Sequence, residues 1–98
     1  MPARPEKLTE TEINTALDRL SGWVYSSETK SLSKNFTFKS FSEAWAFMSR
    51  CALLAETLNH HPDWSNSYNR VCVTLMTHDR GGVTALDIQL ATAMDSYC

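Results

Sequence analysis

Ser31-Leu32-Ser33-Lys34-Asn35-Phe36-Thr37-Phe38-Lys39-Ser40-Phe41-Ser42-Glu43 is the stretch on which the fold turns. Up to Lys39 the pattern has period two. Leu32, Phe36 and Phe38 point one way, with Lys34 interrupting the row, and Ser33, Asn35, Thr37 and Lys39 point the other. Such alternation marks an antiparallel strand with one face on a core and one in water. At Ser40 the period changes. Ser40 and Glu43 stand at capping-box spacing, and Phe41, Ala44, Trp45, Met48, Cys51, Ala52, Ala55 and Leu58 follow at helical intervals. Phe47 and Leu54 fall off that stripe and give the helix a second apolar patch, suited to a subunit contact or to extra core.

The flanks repeat both themes. Upstream, Thr9 and Glu12 form a capping box, Leu8 and Ile13 a hydrophobic staple, and Ile13, Ala16, Leu17 and Leu20 a helical stripe that ends at Ser21-Gly22. Trp23 to Ser26 reads as a short strand, so residues 23–39 form a hairpin around the polar turn at 27–30. Downstream, Asn59 can cap the long helix and Pro62 forbids its continuation. Trp64 to Tyr68 and Val71 to Thr77 read as a second hairpin about Asn69-Arg70. In the latter strand Val71, Val73 and Leu75 share one face, and Cys72, Thr74 and Met76 share the other, with His78 at the strand's end. After the Arg80-Gly81-Gly82 loop, a Thr84/Asp87 cap and a Val83/Ile88 staple open a last helix carrying Leu86, Leu90, Ala93, Met94 and Tyr97. The order α-β-β-α-β-β-α predicts an α+β fold: one four-stranded antiparallel sheet with three helices packed on one face. Residues 1–98 make a single domain, with 1–7 a flexible arm.

Composition narrows the function classes. The net charge of −2 and only nine Lys and Arg exclude the electrostatic footprint of a direct nucleic-acid binder. No apolar run approaches the ~20 residues of a membrane span, and no signal segment opens the chain. Cys51, Cys72 and Cys98 are an odd count without CxxC spacing, a poor disulfide or zinc framework. The expectation is a soluble protein of a reducing compartment, the cytoplasm.

All three histidines fall in Glu56-Thr57-Leu58-Asn59-His60-His61-Pro62-Asp63-Trp64 and Thr77-His78-Asp79. As metal ligands they are poorly arranged, since adjacent residues on a loop rarely aim both rings at one ion. As part of a nucleophilic triad they lack a partner, because Cys72 faces a sheet. As a metal-free acid and base, imidazoles on two segments can flank a flat polar substrate. Trp23, Trp64 and Tyr68 then offer aromatic surface. Plainer readings stand beside this one. His60 suits a helix C-terminus, Glu56 an intrahelical partner, Asp87 a helix cap, and the tryptophans a core.

The spaced set Glu56, His60-His61-Pro62, Tyr68, His78 and Asp87 resembles the pterin-4a-carbinolamine dehydratase family, also known as dimerisation cofactors of a homeodomain transcription factor. The resemblance runs from Leu8 into the last helix. It implies dehydration of 4a-hydroxytetrahydrobiopterin to quinonoid dihydrobiopterin in tetrahydrobiopterin recycling, without metal or cofactor. It implies that His60, His61 and His78 are catalytic. Glu56, Asn59, Pro62, Met76, Thr77, Asp79 and Trp23 join them in binding substrate, with Glu56 placed to orient His60. Asp87, Tyr68 and Trp64 are then structural or site support. It further implies a homodimer or homotetramer, with sheets joined edge to edge and helices packed between dimers, and a protein partner for members that serve transcription, for which the nucleus is also open. Two positions depart from the family: Asn59, where some members carry aspartate, and Leu86, where animal members carry arginine.

Overall fold

The computed structural model describes residues 4–98. Along the chain run α1 (Glu10–Leu17), β1 (Val24–Ser26), β2 (Ser31–Thr37), α2 (Phe41–Leu58), β3 (Asp63–Ser67), β4 (Arg70–Leu75), a short 3₁₀ turn (His78–Arg80) and α3 (Ala85–Tyr97). The four strands form one antiparallel sheet in the order β1-β2-β4-β3. The expected fold and element order are therefore present. Met1–Ala3, the first part of the expected arm, lie outside the described residues.

Register explains the layering. Leu32 pairs with Leu75, Lys34 with Val73 and Phe36 with Val71, so the apolar residues of the two central strands lie side by side beneath the helices. All of these apolar residues are buried. The other face carries Ser33, Asn35, Thr37, Cys72 and Thr74, with Asp63 and Ser65 from the edge strand β3. Lys34 interrupts the inner row without leaving an unpaired charge. Its ammonium meets Asp95 Oδ1 at 2.7 Å and the Ser21 carbonyl, and sits 4.6 Å from the Phe36 ring centroid. Asp95 also accepts from Trp23 Nε1 at 2.9 Å and Ser21 N–H at 3.0 Å. One carboxylate thus ties α3 to β2 and to the connection before β1.

Several details differ from expectation, among them that β4 stops at Leu75, so His78 lies in a 3₁₀ turn beyond the strand. α1 ends at Leu17, short of Leu20. The second hairpin turns at Tyr68-Asn69, one residue early, because Tyr68 adopts the left-handed φ of 50° that a two-residue turn requires. The inward face of α2 is Ala44, Phe47, Cys51 and Ala55, whereas Phe41 and Trp45 are exposed. Phe47, read as lying off the expected stripe and as a subunit contact or extra core, is core: its ring packs 4.7 Å from that of Phe36 and 5.0 Å from that of Phe38. Ala44, Cys51 and Ala55 belong to the expected stripe, and the aromatic residues of the β2 segment draw Phe47 in beside them while Phe41 and Trp45 stay outside. No helix among the described residues is long and apolar enough to cross a membrane.

Burial pushes the Cys51 thiol up to about 12, since the thiolate loses its hydration there. Cys72 and Cys98 are exposed. Titration of the folded protein with a thiolate-selective reagent at pH 8 is expected to modify two thiols quickly and the third only after denaturant is added. Equal reactivity of all three would contradict the packing of α2.

Candidate active site

The end of α2 sets the first two histidines. Asn59 takes a left-handed φ of 50°, its N–H donates to the Glu56 carbonyl at 3.2 Å, and the His60 N–H donates to the Ala55 carbonyl at 3.0 Å. This pair of bonds is a Schellman closure, for which asparagine is among the few non-glycine residues suited. It holds the His60 backbone to the helix it has just left. Pro62 then starts the chain toward β3, whose first residue is Asp63.

The third histidine comes from the other side. β4 ends at Leu75, and Thr77 bridges back to Gly82, with Thr77 N–H donating to the Gly82 carbonyl at 2.8 Å. The loop so closed carries His78, Asp79 and Arg80 as one 3₁₀ turn and ends on Gly81 at φ 68°. Because β3 and β4 are antiparallel, with Asp63 opposite Thr74, the start of β3 and the end of β4 lie together. His60, His61, Pro62, Asp63, Met76, His78, Asp79 and Arg4 consequently line one cavity of about 320 Å³, at the lower end of the range usual for small-molecule sites.

Each imidazole has its own carboxylate. His60 Nε2 lies 2.5 Å from Asp87 Oδ1, and both side chains are buried. His61 Nε2 lies 2.5 Å from Glu56 Oε1, and His78 Nε2 lies 3.2 Å from Asp63 Oδ2; both of these pairs are exposed. The buried pair has a defined hydrogen-bond sense. Asp87 Oδ2 accepts from the Thr84 N–H at 2.9 Å and from the Thr77 hydroxyl at 2.9 Å. The Thr84 hydroxyl lies 2.8 Å from that of Thr77. A carboxylate with donors on its second oxygen acts as acceptor on its first, so His60 presents Nε2–H to it and keeps its lone pair on Nδ1.

Several expected residues sit elsewhere. Glu56 pairs with His61 rather than orienting His60; Asp87 does that, while also capping α3. Trp23, expected against substrate, is 7% exposed and packs in the core 5.9 Å from Phe36, where its indole N–H reaches Asp95. Thr77 is 1% exposed and stands behind His60 as a donor to Asp87. Asn59 shapes the backbone of the site from the helix end. Trp64 packs against the core from the edge strand, and Tyr68 is exposed at the hairpin turn, at the opposite end of β3 from Asp63. Leu86, half-buried at the start of α3, does not line the cavity. Asp63 and Arg4 were not anticipated. Asp63 had a signal, standing beside the histidines at a strand start. Arg4 had none, being more than fifty positions away.

Residues 6–97 match the family model described as pterin 4 alpha carbinolamine dehydratase. The chain belongs to that family. It is accordingly an enzyme of the hydro-lyase class. Among its relatives, proteins from Sinorhizobium medicae and Mesorhizobium japonicum assigned as pterin-4-alpha-carbinolamine dehydratases are 55% and 54% identical over 94% of this chain, covering 88% and 94% of their own lengths. A crystal structure of a transcriptional coactivator/pterin dehydratase from Brucella melitensis superposes with a TM-score of 0.91 at 49% identity, covering 94% of this chain and 98% of that one.

The three pairs differ in what they contribute to stability. Asp87→Ala strips a buried imidazole of its partner and α3 of its cap, and is expected to lower unfolding stability by about 3–5 kcal/mol. Glu56→Ala and Asp63→Ala, at exposed pairs, should each cost about 0.2–1 kcal/mol. Urea denaturation distinguishes these outcomes; similar small losses in all three would contradict the buried network.

Proposed function

We propose that the chain dehydrates 4a-hydroxytetrahydrobiopterin to quinonoid dihydrobiopterin, within tetrahydrobiopterin recycling in the cytoplasm. The observation that carries this reading is three imidazoles, each with its own carboxylate, around one cavity. In the substrate, C4a carries a hydroxyl and N5 a proton. The hydroxyl gains a proton and leaves as water. N5 gives up its proton, and its electron pair closes the C4a=N5 double bond. One proton is delivered and one removed, which is work for an acid and a base at separate points.

His60 suits the base. Its Nε2–H is spent on Asp87, which leaves Nδ1 to receive a proton and a buried carboxylate to stabilise the imidazolium that forms. His61 and His78 suit the acid. They lie on different segments, so a hydroxyl of either epimer has an imidazole to meet, and Glu56 and Asp63 hold the two rings in place. Stopped-flow dehydration of chemically prepared 4a-hydroxytetrahydrobiopterin tests this. His61→Ala or His78→Ala is expected to lower the rate by about 10²-fold or more without unfolding the protein. Wild-type turnover in both variants would sink the reading.

Self-association is the companion reading, and the outer face of α2 supports it. Phe41 and Trp45 are 48% and 57% exposed, with ring centroids 6.3 Å apart, and Leu53 on the same helix is 72% exposed. A second copy is the occupant we propose, in a dimer or tetramer. The transcriptional coactivator role named for the Brucella relative would be a secondary use of the same surface, through a protein partner. Sedimentation of the wild type should show an oligomer, and Trp45→Glu should shift it to a smaller species; a wild-type monomer at all concentrations would refute self-association.

A further inference from the structure

We infer that Arg4 belongs to the substrate site, and that with Asp79 it reads the lactam edge of the pterin ring, the edge where the ring carbonyl stands beside a ring N–H. The inference rests on the dehydratase reading for the identity of the ligand, and on the structure for the position of Arg4.

The segment that carries Arg4 is held against the site at several points. Arg80 Nη2 donates to the Arg4 carbonyl at 2.9 Å. Leu8 N–H donates to the Val83 carbonyl at 2.8 Å. The Lys7 side chain lies over Gly82 so closely that a Cβ there would stand 2.6 Å from Lys7 Cδ. Residues 4–8 therefore run along the same closed loop that carries His78, and the Arg4 side chain enters the cavity beside it.

The chemistry of the pair is complementary to that edge. Among the described residues the guanidinium of Arg4 has one charged partner, Asp79, with Nε 3.7 Å from Oδ2, beyond hydrogen-bond length. Among the described residues its N–H donors make no hydrogen bond beyond that longer ion pair, and Asp79 offers acceptors only. A donor beside an acceptor matches a lactam, whose C=O accepts beside an N–H that donates. The remaining polar groups lining the cavity have other work: the three imidazoles in proton transfer, and Asp63 in holding His78. The lactam carbonyl carbon also adjoins C4a, so a hold at this edge sets how far the leaving hydroxyl and N5 stand from the histidines. Arg4 is in this account a binding residue that positions the reacting atoms.

The test compares two probes on the full-length chain. One is 7,8-dihydrobiopterin, which keeps the lactam; the other is a 2,4-diaminopteridine, in which an amino group replaces the carbonyl. Arg4→Gln is expected to weaken the first about tenfold and leave the second within about twofold. In turnover of 4a-hydroxytetrahydrobiopterin it should raise KM about tenfold, with kcat within about threefold. Equal weakening of both probes, or no change in either, overturns the inference. Arg19→Gln, just past the end of α1 and outside this cavity, serves as a control that leaves all values unchanged. If the wild type fails to dehydrate the substrate, the functional reading falls, while the two-probe comparison still decides the role of Arg4.

Discussion

The buried contact between His60 and Asp87 is the constraint on which the rest of the structure depends. Asp87 sits at the third position of α3 with no exposure, and it accepts from the Thr84 N–H, the Thr77 hydroxyl and the His60 ring. Those donors come from the start of α3, the end of β4 and the end of α2. A buried charge left without partners costs several kcal/mol, so the carboxylate is sustained only when all three segments arrive together. The same atoms that close the fold at this end therefore also fix which nitrogen of His60 is free. The structural and site-support readings of Asp87 are not alternatives here; the residue that caps α3 also holds the imidazole.

The site is built as a junction of terminations. α2 ends in a left-handed asparagine, β3 begins at Asp63, β4 ends before Thr77, and α3 begins after Thr84. Backbone groups left over at such ends need partners, and the loop closed by Thr77 and Gly82 supplies several of them locally. Rigid elements thus bring side chains from the first three of these ends to one cavity, with Asp87 of α3 behind His60, while His61 and His78 stay exposed. Toward the other end of α3, Asp95 plays a comparable joining part for Trp23, Lys34 and Ser21.

Most of the fold was legible because its signals are local. Capping boxes at Thr9 and Thr84, period-two alternation in β2 and β4, and the asparagine-proline punctuation after α2 each report on a few consecutive residues. What misled was the edge of the apolar stripe on α2, where Phe47 competes with Phe41 and Trp45 for the core. It is decided by the aromatic row of another element, as the burial of Phe47 against Phe36 and Phe38 shows. The histidines were legible as a cluster, but not their pairings. Glu56 stands four residues from His60 and five from His61, and only the left-handed turn at Asn59 sends His61 back toward it. Trp23 was drawn into the site by its chemistry as an aromatic, whereas a neighbouring carboxylate made burial of its indole N–H feasible. Arg4 was not legible at all, because nothing in its local sequence records that the chain crosses the His78 loop.

The tautomer of His60 is the most direct test of this account. Two-bond proton–nitrogen correlation spectra of protein labelled with ¹⁵N in its histidines distinguish a ring protonated at Nε2 from one protonated at Nδ1. Neutral His60 is expected to show the Nε2–H pattern, and to lose it in Asp87→Ala. A proton on Nδ1 in the wild type would contradict it, because the nitrogen assigned to receive the substrate proton would already be occupied.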